Sequence, residues 1–295
     1  MSEASGPFVL GCVQLGLAYG IANRTGMPDE AAATDILDAA YESGVRELDT
    51  ARGYGVSEQR IGAWLAARET RDIRIVTKLD PSCDPNDAAM VRASLAASTG
   101  ALGRRPDLVM LHDPKWIAAW NHRIAANVSA AVADGLASGF GVSVYGPEEA
   151  ASATAIPEID AIQAPASALD RRLIDGAVPA GWPGLVYLRS VFLQGLLTMN
   201  PDNLPARLAH AGDALRDWRR ICADFALEPA AAAIAWARAA LPKARIVLGC
   251  ETVEQVRANA TLFAAPVAGS DFLAAVAALP PASADIVDPR RWAAA

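Results

Sequence analysis

The chain has 295 residues, 53% of them hydrophobic and 20% charged, a balance that supports a large core and excludes a disordered polypeptide. Its formal net charge of −7 and pI near 5.1 leave no general basic field, which excludes nucleic acid as an expected partner. No cationic start leads into a long apolar stretch, and no run approaches the roughly 18 apolar residues of a membrane helix, so no membrane partner and a cytoplasmic location are expected.

Short β-rich runs alternate with helical periodicity along the whole chain, the pattern of a parallel sheet built from βα units. The predicted strands are Phe8–Leu15, Arg46–Thr50, Ile73–Leu79, Leu108–His112, Phe140–Val144, Ala161–Pro165, Leu185–Ser190 and Arg245–Gly249. Most are apolar on consecutive positions, as strands covered on both faces require. Helical stretches such as Asp29–Ser43, Asp87–Ser98, Arg123–Ala137 and Leu204–Phe225 lie between them, and the alternation is expected to run without a break. Eight such units in this length predict one (β/α)8 TIM barrel over residues 1–295. The competing doubly wound sheet normally carries G-x-G-x-x-G after its first strand, whereas Gly11-Cys12-Val13-Gln14-Leu15-Gly16 lacks that spacing.

Cys12, Cys83, Cys222 and Cys250 are widely separated and form no C-x-x-C pair, so reduced thiols are expected and no metal site. Cys12 and Cys250 fall on the first and last strands, which are neighbours in a closed barrel, and read as small core residues.

In a barrel, residues at the C-terminal strand ends converge on one mouth. The second strand ends in Leu48-Asp49-Thr50-Ala51, the third in Val76-Thr77-Lys78 and the fourth in Met110-Leu111-His112-Asp113, with Tyr54 in the loop after Asp49. A buried Lys78 needs a counter-charge, which Asp49 on the neighbouring strand supplies. The ammonium is then expected to lower the pKa of Tyr54 and make it a usable general acid, while His112 hydrogen-bonds the substrate oxygen. An isolated Asp-Lys pair is more often structural, and a lone Tyr or His here would be unremarkable; the four together at one mouth point to catalysis of hydride transfer. A Schiff-base reaction at Lys78, as in an aldolase-like barrel, is the alternative chemistry.

These residues resemble the aldo-keto reductase family. Asp49-Thr50-Ala51-Arg52-Gly53-Tyr54-Gly55-Val56-Ser57-Glu58-Gln59-Arg60-Ile61-Gly62 is similar to the family's D-T-A-x-x-Y-G-x-S-E-x-x-x-G signature. Thr77-Lys78, Leu111-His112-Asp113, Gly141-Val142-Ser143, Ile162-Gln163, Gln194-Gly195-Leu196-Leu197 and Asn259 follow in the expected order, so the likeness spans nearly the entire chain. The resemblance implies an enzyme that binds extended NADPH, or less often NADH, across the mouth and acts on a small-molecule carbonyl or alcohol, with Tyr54 as acid/base. By the same matching Ser143 and Gln163 contact the nicotinamide amide, with Arg189 and Ser190 beside the ring. Gln194, Gly195 and Leu196 lie near the pyrophosphate, and Gly249, Thr252, Gln255 and Asn259 surround the adenosine end.

Three positions depart from the family pattern. Val144 follows Ser143 where the family has Asn, Arg189 replaces an aromatic, and Gly249 and Gln255 stand where a lysine and an arginine often clasp a 2′-phosphate. The departures motivate a further alternative, a cofactor-binding regulatory barrel with little turnover. Arg189, Arg52 and Lys115 near the mouth suit a polar or anionic substrate such as a sugar. The sequence carries no signal for oligomeric state.

Overall fold

The computed structural model describes residues 6–68, 72–174, 176–179 and 181–292. Eight parallel strands close into a barrel in chain order: β1 (Val9–Gly11), β2 (Glu47–Asp49), β3 (Arg74–Lys78), β4 (Leu108–Leu111), β5 (Phe140–Ser143), β6 (Ala161–Pro165), β7 (Leu185–Arg189) and β8 (Arg245–Gly249). β8 pairs back onto β1 through Val247 and Val9, so the sheet has no edge and the open doubly wound alternative is excluded.

Around the strands lie α1 (Glu30–Glu42), α2 (Ser57–Ala66), α3 (Ala88–Leu102), α4 (Lys115–Ala118), α5 (His122–Ala133), α6 (Pro147–Thr154), α7 (Gly212–Asp224), α8 (Pro229–Ala240), α9 (Val253–Ala264), α10 (Ser270–Ala277) and α11 (Ala284–Val287). Their starts follow local chemistry. The Asp29 carboxylate accepts from Ala32 N, Asp87 from Ala89 N and Met90 N, and Asn121 from Arg123 N and Ile124 N, each satisfying donors that the first helical turn leaves open.

Successive strand side chains point to opposite faces, which divides the core in two. Val9, Val76, Leu108, Met110, Ala161, Tyr187 and Val247 form a compact inner cluster, while a much larger one joins the outer strand faces to the helices. Among the described residues no helix is long and apolar enough to cross a membrane.

Three local expectations are corrected. The first strand ends at Gly11 rather than running to Leu15, because Cys12 leaves the extended region (φ −103°, ψ 13°) and Val13–Leu15 turn into a 3-10 helix. Leu204–Phe225 is not one helix: a 3-10 turn over Ala206–Ala211 precedes α7. Finally, the alternation breaks between β6 and β7, where the described residues contain no helix. Ser167 and Asp170 close a turn on each other through backbone bonds, and Gly176, Pro179, Gly181, Pro183 and Gly184 punctuate the rest, which helical periodicity cannot bridge.

Candidate active site

The polar residues of the mouth follow from the two-residue repeat. Asp49 lies two residues after Glu47, Lys78 two after Val76, His112 two after Met110, Gln163 two after Ala161 and Arg189 two after Tyr187, so each continues an inward-facing row to the C-terminal end of its strand.

Lys78 and Asp49 are almost completely buried and bonded to each other. Lys78 Nζ donates to Asp49 Oδ1 at 2.8 Å and to the Thr50 carbonyl at 3.0 Å. The same Asp49 oxygen accepts from Gln163 Nε2 at 2.8 Å, which ties β2, β3 and β6 together at one atom. The ammonium sits 5.0 Å from the centroid of the Tyr54 ring. Tyr54 meets His112 edge-on, with centroids 5.8 Å apart and the planes at 81°. The structure thus brings together all four residues singled out from the sequence.

Anchors beyond the four fix Tyr54. Ser57 Oγ donates to the Cys12 carbonyl at 2.8 Å and lies 2.9 Å from Thr50 Oγ1. Glu58 is buried beneath the loop, where its carboxylate accepts from Thr77 Oγ1 and from Arg52 Nη1, both at 2.7 Å. These bonds give the Ser-Glu of the signature a physical role as the clamp below the tyrosine. Two glycines let the loops approach: a Cβ on Gly16 would stand 1.9 Å from the Tyr54 carbonyl, and Gly55, at φ +55°, would place one 2.4 Å from the Gly16 carbonyl.

Electrostatics separate the roles. Burial pulls the Lys78 pKa down, but Asp49 and Tyr54 together outweigh it and raise the net value, so the amine is held as an ammonium. An ammonium has no lone pair for Schiff-base attack, which counts against the lyase alternative. Burial, helped by the Asp49 charge, raises the Tyr54 pKa more than Lys78 and Arg189 lower it. The net rise corrects the expected fall, since desolvation of a phenolate dominates here. His112 is pushed down to about 4, first by burial and then by Lys78 and Arg189, and is neutral at neutral pH. Its Nδ1 is buried without a partner, an unusual loss for a native ring nitrogen.

The residues matched to a cofactor form an arc around the rim. Ser143 and Gln163 are register partners at the ends of β5 and β6. Ser190, Leu193 and Gln194 have positive φ, and Gly195 lies at φ +95° against Ala22, where a Cβ would come within 2.4 Å of the Ala22 Cβ. Leu196 is core, leaving only its backbone for a ligand. Thr252 caps α9, Gln255 Oε1 accepts from Glu251 N at 2.8 Å, and Asn259 Nδ2 donates to Cys250 Sγ at 3.3 Å. Gln255 and Asn259 therefore hold the β8–α9 turn rather than project from it.

The positions that depart from the family pattern have definite places. Val144 is fully buried in the outer core, and its carbonyl accepts from Arg189 Nη2 at 2.9 Å. Arg189 stacks on Tyr145 at 4.3 Å, and Arg290 covers the same ring at 3.5 Å. Arg52 is paired with the buried Glu58, whereas Lys115 and Asp113 form an exposed pair. Cys12 and Cys250 are buried thiols, both with pKa values raised first by burial, as small core residues should be.

Two rim residues escape sequence reading. Gln14 is nine-tenths buried, its Oε1 has no partner, and its amide fills the space that a side chain on Gly249 would need. The Glu251 carboxylate makes no hydrogen bond or ion pair among the described residues, and burial raises its pKa. Nothing in residue type or spacing marks either one; only the closure of β8 onto β1 exposes their setting.

The unfilled acceptor of Gln14, the orphan ring nitrogen of His112 and the glycine-lined rim fit an extended ligand rich in hydrogen-bonding groups, as a dinucleotide is. A model of the aldo/keto reductase family matches residues 8–279. Over 133 aligned residues the chain is 35% identical to D-threo-aldose 1-dehydrogenase from Pseudomonas sp, a match covering 34% of this chain and 40% of that relative. The fold is similar to that of an aldo-keto reductase from Bacillus halodurans in its holo form, with a TM-score of 0.78 and 22% identity over 99% of this chain and 98% of that one. It is also similar to a glycerol dehydrogenase from Gluconobacter oxydans, with a TM-score of 0.76 and 22% identity over 98% and 96% of the two chains.

Proposed function

This chain belongs to the aldo/keto reductase family; from that premise we propose that it is an oxidoreductase that interconverts a polar carbonyl, of the aldose or related hydroxy-carbonyl class, and its alcohol with a nicotinamide dinucleotide. The observation that carries the reading is the buried Asp49–Lys78 pair set beside Tyr54 and His112 at the mouth.

In this reading the nicotinamide ring, held by Ser143 and Gln163 at the β5 and β6 ends, supplies or takes up a hydride when bound. The chain's own residues manage the oxygen. Neutral His112 donates a hydrogen bond to the substrate oxygen and fixes its direction. Tyr54, protonated across neutral pH because burial raises its pKa, gives its hydroxyl proton to that oxygen as the carbonyl carbon gains the hydride. Lys78 faces the phenolate so formed, and Asp49 and the Thr50 carbonyl keep Lys78 charged and aimed. In the reverse direction the phenolate takes the proton back. The sugar-like substrate class is supported by the partial likeness to D-threo-aldose 1-dehydrogenase.

Tyr54→Phe tests the reading. Turnover on an aldose panel is expected to fall by about 10²–10⁴-fold, the contribution of a positioned acid, while fluorescence titration shows dinucleotide affinity kept within a few-fold. Turnover retained in the variant would remove Tyr54 from the chemistry.

A further inference from the structure

We infer that Glu251 makes this barrel a reader of the unphosphorylated adenosine ribose, so that NAD(H) binds more tightly than NADP(H). The inference rests on the reading above, in which a nicotinamide dinucleotide lies across the mouth with its adenosine end over the β8–α9 turn. It inverts the order of cofactors that the family resemblance implies.

Glu251 stands at the meeting of three loops. It follows the end of β8 and precedes the α9 cap Thr252. Its Oε1 is 3.8 Å from where a Cβ on Gly20 would stand, and the Gln194 carbonyl lies 3.6 Å from the same point. The loop carrying Gly20 is bound to the loop after β7, since Ile21 N donates to the Gln194 carbonyl at 3.2 Å and Gln194 Nε2 to Tyr19 Oη at 3.0 Å. The carboxylate therefore faces the rim where loops from β1, β7 and β8 converge, partly shielded from water.

A capping role does not account for it. A carboxylate that serves a helix start accepts from the first-turn amides, yet Gln255 N donates to Thr252 Oγ1 instead. Glu254, inside that turn, has its pKa lowered by hydrogen bonds, whereas that of Glu251 is raised by burial alone. Nor does an ion pair among the described residues balance it: Gly249 has no side chain, the Gln255 amide is neutral and engaged, and Arg257 lies 3.9 Å from Glu42 in an exposed pair. The nearly buried Gln14, packed over Gly249, presents an Oε1 with no partner among the described residues, a second such polar group on the same β1–β8 seam.

An unpaired, partly desolvated carboxylate calls for donors. Its oxygens can each accept from one hydroxyl of a ribose 2′,3′-diol, the recognition by which an acidic side chain selects NAD in other dinucleotide sites. A 2′-phosphate brings roughly two negative charges to the same place and removes a donor hydroxyl. Repulsion from the Glu251 carboxylate disfavours the phosphorylated nucleotide by at least about tenfold.

Equilibrium titration of the full chain, followed by tryptophan quenching, should use NADH, NADPH and the adenosine fragments 5′-AMP and 2′,5′-ADP, with wild type, Glu251→Gln and Glu251→Ser. NADH is expected to bind at least about tenfold more tightly than NADPH, and 5′-AMP more tightly than 2′,5′-ADP. Both variants should narrow the ratio by about tenfold, chiefly through tighter binding of the phosphorylated ligands. Equal or tighter NADPH binding by wild type, or a ratio unmoved by both substitutions, overturns the inference while leaving the oxidoreductase reading intact. Absence of saturable binding by every nucleotide instead overturns the reading on which it rests.

Discussion

The barrel carries a charged cluster at each end, with β2 and β3 contributing to both, and the two are finished differently. At the N-terminal end the buried Glu47 accepts from Arg245 Nη1 at 2.5 Å and from the Tyr187 hydroxyl at 2.6 Å, with Arg74 at 3.7 Å. At the C-terminal end, two residues further along β2, Asp49 pairs with Lys78 and Gln163, but among the described residues His112 Nδ1 and Gln14 Oε1 lack partners and Glu251 has no counter-charge. Both Glu47 carboxylate oxygens are engaged by internal donors, and only Arg74 Nε beside them lacks a hydrogen bond among the described residues, whereas the mouth gathers several polar groups that something from outside can meet. The difference teaches that neither a buried charge nor a single unfilled donor marks function by itself; several unfilled groups gathered beside chemically capable side chains do.

The largest effect should come from breaking the closed end. Glu47→Ala removes the buried carboxylate that Arg245 Nη1 and the Tyr187 hydroxyl both bond, and chemical denaturation should show a loss of about 3–5 kcal/mol. Turnover per folded molecule should stay near wild type. A variant that kept its stability but lost turnover would erase the proposed division of labour. The mouth answers next: Lys78→Met should lower turnover by about 10²–10³-fold and shift the alkaline limb of the pH–rate profile to higher pH, because burial then acts on Tyr54 without the opposing ammonium. An unmoved limb would mean that Lys78 is structural, as the ion pair opposite it is.

His112 sharpens the contrast through pH. Its folded pKa of about 4 lies below the ordinary imidazole value of about 6.5, so the unfolded chain takes up a proton first as the pH falls. The stability it contributes is complete above about pH 6.5 and is lost progressively down to about pH 4. His112→Gln should flatten the slope of stability against pH in that window. In turnover, wild type should show no break from His112 between pH 6 and 8, and a break there that disappears in the variant would place the folded pKa elsewhere.

How far each cluster could be read beforehand follows from sequence locality. Asp49 and Tyr54 lie within one segment, and Lys78 and His112 end the next two strands, so strand-end logic and one motif were enough to collect them. The barrel followed from eight recurring β-rich runs, but not the missing helix after β6, where turn chemistry overrides the period. Glu47, Tyr187 and Arg245 meet across 198 positions, and Gln14 meets Gly249 only because the barrel closes. No local pattern encodes that closure geometry. The direction of the Tyr54 shift was also hidden, since it depends on how much burial opposes a charge already foreseen.

Gln14 offers the smallest effect and the most direct measure of the difference between the two ends. A buried amide oxygen without a donor weakens a fold by leaving a desolvated group unsatisfied, so an apolar side chain of similar length should relieve it. Gln14→Met is therefore expected to raise stability by about 1 kcal/mol, measured in urea, where any substitution at Glu47 lowers it. If the amide is kept for a ligand, the same variant should weaken dinucleotide binding several-fold as it gains stability. A loss of stability would mean that Gln14 is satisfied within the fold, and the mouth would then be as closed as the opposite end.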